Sequence, residues 1–112
     1  MDVTYERTGT PSHLDRMTAV HVYRVLQEAI NNVARHAGTK QAWVRLHTDA
    51  TGLRLEVEDH GRGVVNDGQR GLGLITMRER ADLVGGSIEF TRPASGGTLV
   101  RFVVPASTGA PA

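Results

Sequence analysis

Apolar residues recur along this chain with two alternating periods, and the switches between them divide it into seven elements. Val3-Thr4-Tyr5-Glu6-Arg7 alternates as a short strand and is closed by Gly9 and Pro11. A helical period of about 100° per residue then governs the stretch from near Thr18 to His36. Val22, Tyr23, Leu26, Ala29, Ile30, Val33, Ala34 and Ala37 form one broad apolar arc, with Arg24, Glu28, Asn31, Asn32 and Arg35 opposite. Ser12 or Asp15 can begin a short preceding turn. Thr18 is the expected N-cap of the long helix and Gly38 its stop.

Alternation returns at Gln41–His47, with Ala42, Val44 and Leu46 on one face and Trp43, Arg45 and His47 on the other. Asp49-Ala50-Thr51-Gly52 supplies a turn, and Leu53, Leu55 and Val57 alternate with Arg54, Glu56 and Glu58 in the second arm of a hairpin. A second amphipathic helix carries Leu74, Ile75, Arg78, Ala81, Asp82 and Leu83 and stops at Gly85-Gly86. Ser87–Thr91 and Thr98–Val104 read as a final hairpin around Pro93-Ala94-Ser95-Gly96-Gly97, and Pro105 ends it. The order β-α-ββ-α-ββ predicts an α+β two-layer sandwich, its helices covering one face of a mixed, mostly antiparallel sheet. Residues 1–105 are expected to form one domain and 106–112 a disordered tail. Trp43 and Tyr23 are expected as core aromatics.

Composition narrows the chemistry. At 112 residues the chain is one domain, and a formal charge of +1 gives no field suited to nucleic acid or an acidic membrane. The absence of cysteine excludes disulfides, thiolate catalysis and Cys-ligated metals. No apolar run approaches the roughly 20 residues that cross a bilayer, so the chain as given is expected to be soluble. Of the thirteen glycines, nine cluster at three places, Gly61–Gly73, Gly85–Gly86 and Gly96–Gly97, which marks them as positional.

Three short boxes are candidates for chemistry. Two consecutive Asn in mid-helix sacrifice some helix propensity, which suggests a task for their amides; a solvated face with two indifferent Asn is the alternative. Asp59-x-Gly61-x-Gly63 at a strand end places a carboxylate where it can accept from an exocyclic amine, beside bare backbone that admits a flat ring; a turn started by Asp is the alternative. Gly71-Leu72-Gly73-Leu74 immediately before a helix would leave backbone N–H groups free for phosphate oxygens; a loop punctuated by glycines is the alternative. No G-x-G-x-x-G opens a βαβ unit and no Gly-Lys-Ser/Thr occurs, so neither a Rossmann fingerprint nor a P-loop is present.

Taken in order, Gln27–Ala37, Asp59-x-Gly61-x-Gly63, Gly71-Leu72-Gly73-Leu74-x-x-Met77-Arg78-Glu79-Arg80, Gly85-Gly86 and Gly97-Thr98 resemble the GHKL nucleotide-binding fold of gyrase, Hsp90, MutL and histidine kinases. More narrowly the chain resembles the ATP-binding catalytic domain of sensor histidine kinases that pair with NarL/LuxR-type response regulators. The resemblance covers nearly all of the chain up to Pro105. It implies that Asn32 ligates Mg²⁺, that Glu28 is the acid that orients or deprotonates a nucleophile, and that Arg35 approaches the phosphates. It also implies that Asp59 reads the adenine amino group, supported by Thr98. Gly61 and Gly63 would admit the base, Gly71, Leu72, Gly73 and Leu74 would flank the phosphates, and His36 would line the pocket. In this branch an acid beside the phospho-acceptor is the alternative base to Glu28.

Two departures from the family pattern matter. Val64–Arg70 is far shorter than a long ATP lid and lacks its phenylalanine box, so weak nucleotide affinity is expected of the isolated domain. No helical phospho-acceptor domain is present, and none of His13, His21, His36, His47 or His60 has an acceptor's context or HExxH zinc spacing. The resemblance therefore implies a monomeric domain cut from a longer, cytoplasmic or membrane-anchored homodimeric kinase, ending at or near its natural C-terminus. Its direct partner would be the dimerisation domain of the same parent, with the response regulator downstream and no nucleic acid bound. Rival readings are a serine kinase of the anti-sigma-factor type, a nucleotide-binding regulatory module without transfer activity, and a plain α+β interaction domain.

Overall fold

A computed structural model describes residues 2–10, 14–36, 41–61, 68–93 and 96–106. The elements are β1 (Asp2–Gly9), α1 (Arg16–His36), β2 (Gln41–Asp49), β3 (Gly52–Asp59), α2 (Gly68–Leu83), β4 (Ser87–Thr91) and β5 (Thr98–Pro105). They form one five-stranded sheet in the order β1-β2-β3-β5-β4. β1 runs parallel to β2, with α1 as the crossover such a pair requires, and the other pairings are antiparallel. The expected α+β sandwich and its element order are both observed.

The core lies between the helices and one sheet face. Val25, Ala29 and Val33 of α1 and Met77 and Ala81 of α2 meet Ala42, Val44, Leu53, Leu55, Val57, Ile88, Val100, Phe102 and Val104 of the sheet. The alternation read in β2, β3, β4 and β5 is thus the alternation between core and solvent. Phe102, Met77 and Val25 are among the largest fully buried side chains.

Helix phase differs from the expectation. Val25, absent from the expected apolar arc, is fully buried, whereas Tyr23 on that arc is 56% exposed. The buried line runs through Val25, Ala29, Asn32 and Val33, at steps of four, three and one, so Asn32 belongs to the core-facing stripe and not to the polar face. Tyr23 is therefore no core aromatic; its hydroxyl accepts from Gln27 Nε2 at 3.2 Å on the helix surface. Trp43 is only half-buried and lies on the outer sheet face.

The cap also moves. Asp15, not Thr18, caps α1: its Oδ1 accepts the Thr18 N–H at 2.7 Å and its carbonyl accepts the Ala19 N–H at 3.0 Å. α2 begins at Gly68, so Gly71 and Gly73 lie within its first turns and not before it. The neighbouring Gln69, Arg70, Leu72 and Leu74 are good helix formers and carry the helix through two glycines that each cost only about 1 kcal/mol. The expected stop holds: Gly86 N–H reaches Ala81 O at 2.9 Å and Gly85 N–H reaches Asp82 O at 3.2 Å, the two bonds of a Schellman closure.

β1 is a sheet edge. Val3 and Tyr5 sit in register with buried Ala42 and Val44, yet all eight residues of the strand are exposed. At the other end of the sheet Ala106 N–H donates to Thr51 O at 2.9 Å, extending the order one residue past β5. The helix stop expected at Gly38 and the tail from 107 to 112 lie outside the described residues.

Candidate functional site

β3 ends at Asp59, which pairs in register with Thr98, the first residue of β5. Asp59 retains 2% exposure, Thr98 5% and Asn32 8%. The three polar side chains line one small cavity whose walls are apolar, with Ala29 and Val33 from α1, Val57 and Val100 from the sheet, Leu74 from α2 and Phe90 from β4. Its volume is about 10 Å³, room for a single water molecule. The amide on α1 and the carboxylate at the end of β3 thus face each other across one space.

The turn that holds Asp59 is constrained on two sides. Asp59 Oδ1 accepts the Gly61 N–H at 2.8 Å, a side-chain turn that replaces a backbone hydrogen bond and orients the carboxylate. Gly97 lies against the same backbone: a Cβ built there would fall 1.9 Å from Asp59 O and 2.7 Å from His60 Cα. Gly97 also has φ +83°, so both space and conformation require glycine. It brings Thr98 alongside Asp59. Thr98 Oγ1 is buried and makes no hydrogen bond among the described residues. An unsatisfied buried hydroxyl costs about 1–3 kcal/mol, and its position beside Asp59 fits a site that completes its hydrogen bonding with a guest.

The other expected site residues separate. Leu74 lines the cavity with Asn32, Asp59 and Thr98. Glu28 lies in a different groove of about 210 Å³ between the helices, with Arg24, Gln27, Asn31, Thr76 and Arg80. It is Asn31 that shares that groove, one position from the Asn that faces Asp59. Arg35 is exposed on α1. Gly61 closes the Asp59 turn; Gly63 and the His36 side chain lie outside the described residues, and so do the side-chain surroundings of Leu72. Gly71 and Gly73 contribute helical backbone only.

Sequence reading did not single out Phe90, which forms a wall of the cavity and carries the Arg78 guanidinium 5.4 Å from its ring centroid. The Ile88/Phe90 alternation was its signal. Nor did it foresee the His60 ring stacked on Trp43, with centroids 4.4 Å apart and planes inclined by 28°.

On the outer sheet face Arg45 bridges Glu56 at 3.2 Å and Glu58 at 2.7 Å, and Arg101 reaches Glu56 at 2.9 Å. The Arg45 hydrogen bond holds Glu58 below the ordinary carboxylate range, against the opposing effect of burial and with help from His60. For Glu56 burial pushes upward, but Arg101 and Arg45 together outweigh it and its pKa is lowered. Arg45 is raised in turn, chiefly by Glu58. These charges neutralise one another and leave the inner cavity to Asp59.

Comparison with known proteins places the fold. Residues 17–108 match the family model described as histidine kinase-, DNA gyrase B- and HSP90-like ATPase. The chain is 32% identical over 99 residues to the nitrate/nitrite sensor protein NarQ of Escherichia coli (strain K12), covering 86% of this chain and 18% of that protein. It is 37% identical over 87 residues to the sensor histidine kinase LiaS of Bacillus subtilis (strain 168), covering 76% and 24%. To the oxygen sensor histidine kinase NreB of Staphylococcus carnosus (strain TM300) it is 33% identical over 106 residues, covering 92% and 30%. The chain therefore spans less than a third of the length of each of these relatives. Among solved structures, the histidine kinase domain of the Erythrobacter litoralis EL346 blue-light activated histidine kinase superposes with a TM-score of 0.70 at 24% identity, covering 95% of this chain and 52% of that one. The ATP binding domain of PrrB from Mycobacterium tuberculosis does so with 0.68 at 21% identity, covering 92% and 81%. The chain belongs to the histidine kinase-, DNA gyrase B- and HSP90-like ATPase family.

Proposed function

We propose that this chain is the MgATP-binding catalytic domain of a two-component sensor histidine kinase, acting on a histidine of a separate helical dimerisation domain of the same parent. The observation that carries the proposal is the single cavity shared by Asn32, Asp59 and Thr98. Asp59 accepts from the adenine amino group, its carboxylate oriented by the Gly61 N–H. Thr98, whose hydroxyl has no hydrogen-bond partner among the described residues, completes the adenine end directly or through one water. Asn32 supplies a neutral amide oxygen of the kind a hard divalent cation accepts, and Mg²⁺ when bound would neutralise the triphosphate.

In the overall reaction the bond between the γ-phosphorus and its bridging oxygen breaks, a phosphorus–nitrogen bond forms at the acceptor imidazole, ADP departs and the imidazole proton is released. The protein's contribution is placement and charge. Arg35, exposed on α1, is available to the phosphates. Glu28 opens into the groove between the helices, away from the Asp59 cavity. That placement favours an acid on the acceptor domain as the base and leaves Glu28 to orient. The downstream partner is a NarL/LuxR-type response regulator, which the resemblance of the Gln27–Ala37 and Gly71–Arg80 boxes to that kinase branch supports.

The test mixes the chain with a dimerisation domain from a similar sensor kinase and γ-labelled ATP. Label that is acid-labile, base-stable and carried by the acceptor histidine is expected, and Asn32→Ala should abolish it. Label on a serine, or nucleotide binding without transfer to any acceptor, would contradict the proposal.

A further inference from the structure

His60 lies inside the Asp59-x-Gly61 turn, yet its side chain leaves the cavity entirely. Consecutive side chains at the end of a strand point to opposite faces. Asp59 is 2% exposed on the inner face, while the His60 side chain is 47% exposed on the outer one. There it is engaged twice: its ring stacks on Trp43 at 4.4 Å and its Nε2 meets Glu58 Oε2 at 3.2 Å. Glu58 is itself fixed by Arg45 NH2 at 2.7 Å, and Trp43 is the register partner of Glu58 across β2 and β3. The backbone between the two faces is blocked on the β5 side by Gly97. The Gly61 N–H that orients the Asp59 carboxylate belongs to the peptide that follows His60, so backbone freedom gained at an unclamped His60 would move that donor.

We propose that His60 is a positioning residue for Asp59: the stack on Trp43 and the bond to Glu58 clamp the turn from outside the sheet and aim the carboxylate into the nucleotide cleft. The inference rests on the reading of Asp59 as the adenine acceptor. It extends the site to a face that no nucleotide touches. Trp43 is the single tryptophan of the chain, and its partner in the stack is the residue after Asp59. Occupation of the cleft should therefore be legible in Trp43 emission.

The experiment titrates MgADP into the 112-residue chain, following heat and Trp43 fluorescence, for the unmodified protein and for His60→Ala, His60→Phe and Asp59→Ala. Loss of one aromatic pair with its hydrogen bond is expected to weaken His60→Ala binding roughly 2- to 10-fold. His60→Phe, which keeps a ring against Trp43, should recover to within about 2-fold of the unmodified protein. MgADP should change Trp43 emission in the unmodified chain and not in His60→Ala. A purely structural role would lower the melting temperature of His60→Ala and leave its affinity, measured on folded protein, unchanged. Unchanged affinity in His60→Ala alongside a roughly ten-fold or larger loss in Asp59→Ala overturns the positioning role alone. Unchanged affinity in both overturns the adenine assignment of Asp59 and the clamp with it.

Discussion

Replacing Gly97 by alanine separates two demands that the end of β5 makes on one residue. Gly96 has φ +92° and an added Cβ meets nothing within 4 Å; Gly97 has φ +83° and its Cβ would fall 1.9 Å from Asp59 O and 2.7 Å from Asp59 C. Gly96→Ala therefore reports the cost of a left-handed backbone alone, about 1–2 kcal/mol. Gly97→Ala carries that cost and a collision with backbone, which has no rotamer to change. The β3 and β5 ends must part by roughly 1 Å or more to restore contact distance. Overpacking of this kind costs about 1–3 kcal/mol, so Gly97→Ala should be less stable than Gly96→Ala by that amount. The displaced atoms are those of Asp59, and a 1 Å misplacement of a binding group can reduce turnover about 100-fold. Urea denaturation of both variants, with phosphoryl transfer measured on the folded protein, tests the argument. Equal stabilities within about 0.5 kcal/mol, or a Gly97→Ala enzyme that turns over normally, would refute the packing of Gly97 against Asp59.

Three further expectations follow from the same structure. Asp15→Ala removes the cap on the Thr18 N–H and should cost about 1 kcal/mol by thermal or urea melting, whereas Thr18→Ala should cost far less. Glu56 has a folded pKa below its ordinary value of 4.5 because Arg101 and Arg45 outweigh its burial. The unfolded chain thus binds the extra proton first, and the stability these pairs contribute is present above pH 4.5 and lost as the pH falls below it. With both arginines partly exposed the contribution is about 1 kcal/mol or less, so the stability gap between the unmodified chain and Glu56→Gln should close between pH 7 and pH 3; a gap constant with pH would count against the ladder. Finally, the brevity of the Val64–Arg70 sequence between the glycine boxes, the last three residues of which already belong to α2, predicts weak MgATP binding by the isolated chain, and calorimetry giving a sub-micromolar Kd would contradict it.

Strand alternation was legible in β2, β3 and β5 because each has one buried face: Ala42/Val44, Leu53/Leu55/Val57 and Val100/Phe102/Val104 are all core residues, whereas the alternation of β1 leads to no buried face. The phase of α1 was harder to read. Its apolar residues are spread widely enough that periodicity alone admits Tyr23 and omits Val25; the choice is made by the sheet, which reaches Val25 and leaves Tyr23 in solvent. The same rotation decides between two adjacent amides, turning Asn32 toward Asp59 and Asn31 into the groove with Glu28. Asp59 and the Gly97-Thr98 pair were indicated by motif order, and strand register joins them, since Asp59 and Thr98 are direct partners; the close approach of Gly97 to the Asp59 backbone was not foreseen. The start of α2 and the Trp43–His60 stack were not legible. One depends on glycines that read as loop punctuation but are held in helix by their neighbours at about 1 kcal/mol each, the other on cross-strand neighbours seventeen residues apart.

The central claim is that Asn32 and Asp59, which line one cavity, act on one nucleotide, Asp59 on the base and Asn32 on the metal that accompanies the phosphates. Its most direct test is titration of the chain with MgATP and with metal-free ATP, for the unmodified protein, Asn32→Ala, Asp59→Ala and the double variant. Asp59→Ala should lose roughly 1.5–3 kcal/mol of binding in both conditions, because the base contact does not involve the metal. Asn32→Ala should weaken MgATP binding and leave metal-free binding nearly unchanged. Equal losses for Asn32→Ala in both conditions, or native affinity in either single variant, would contradict it.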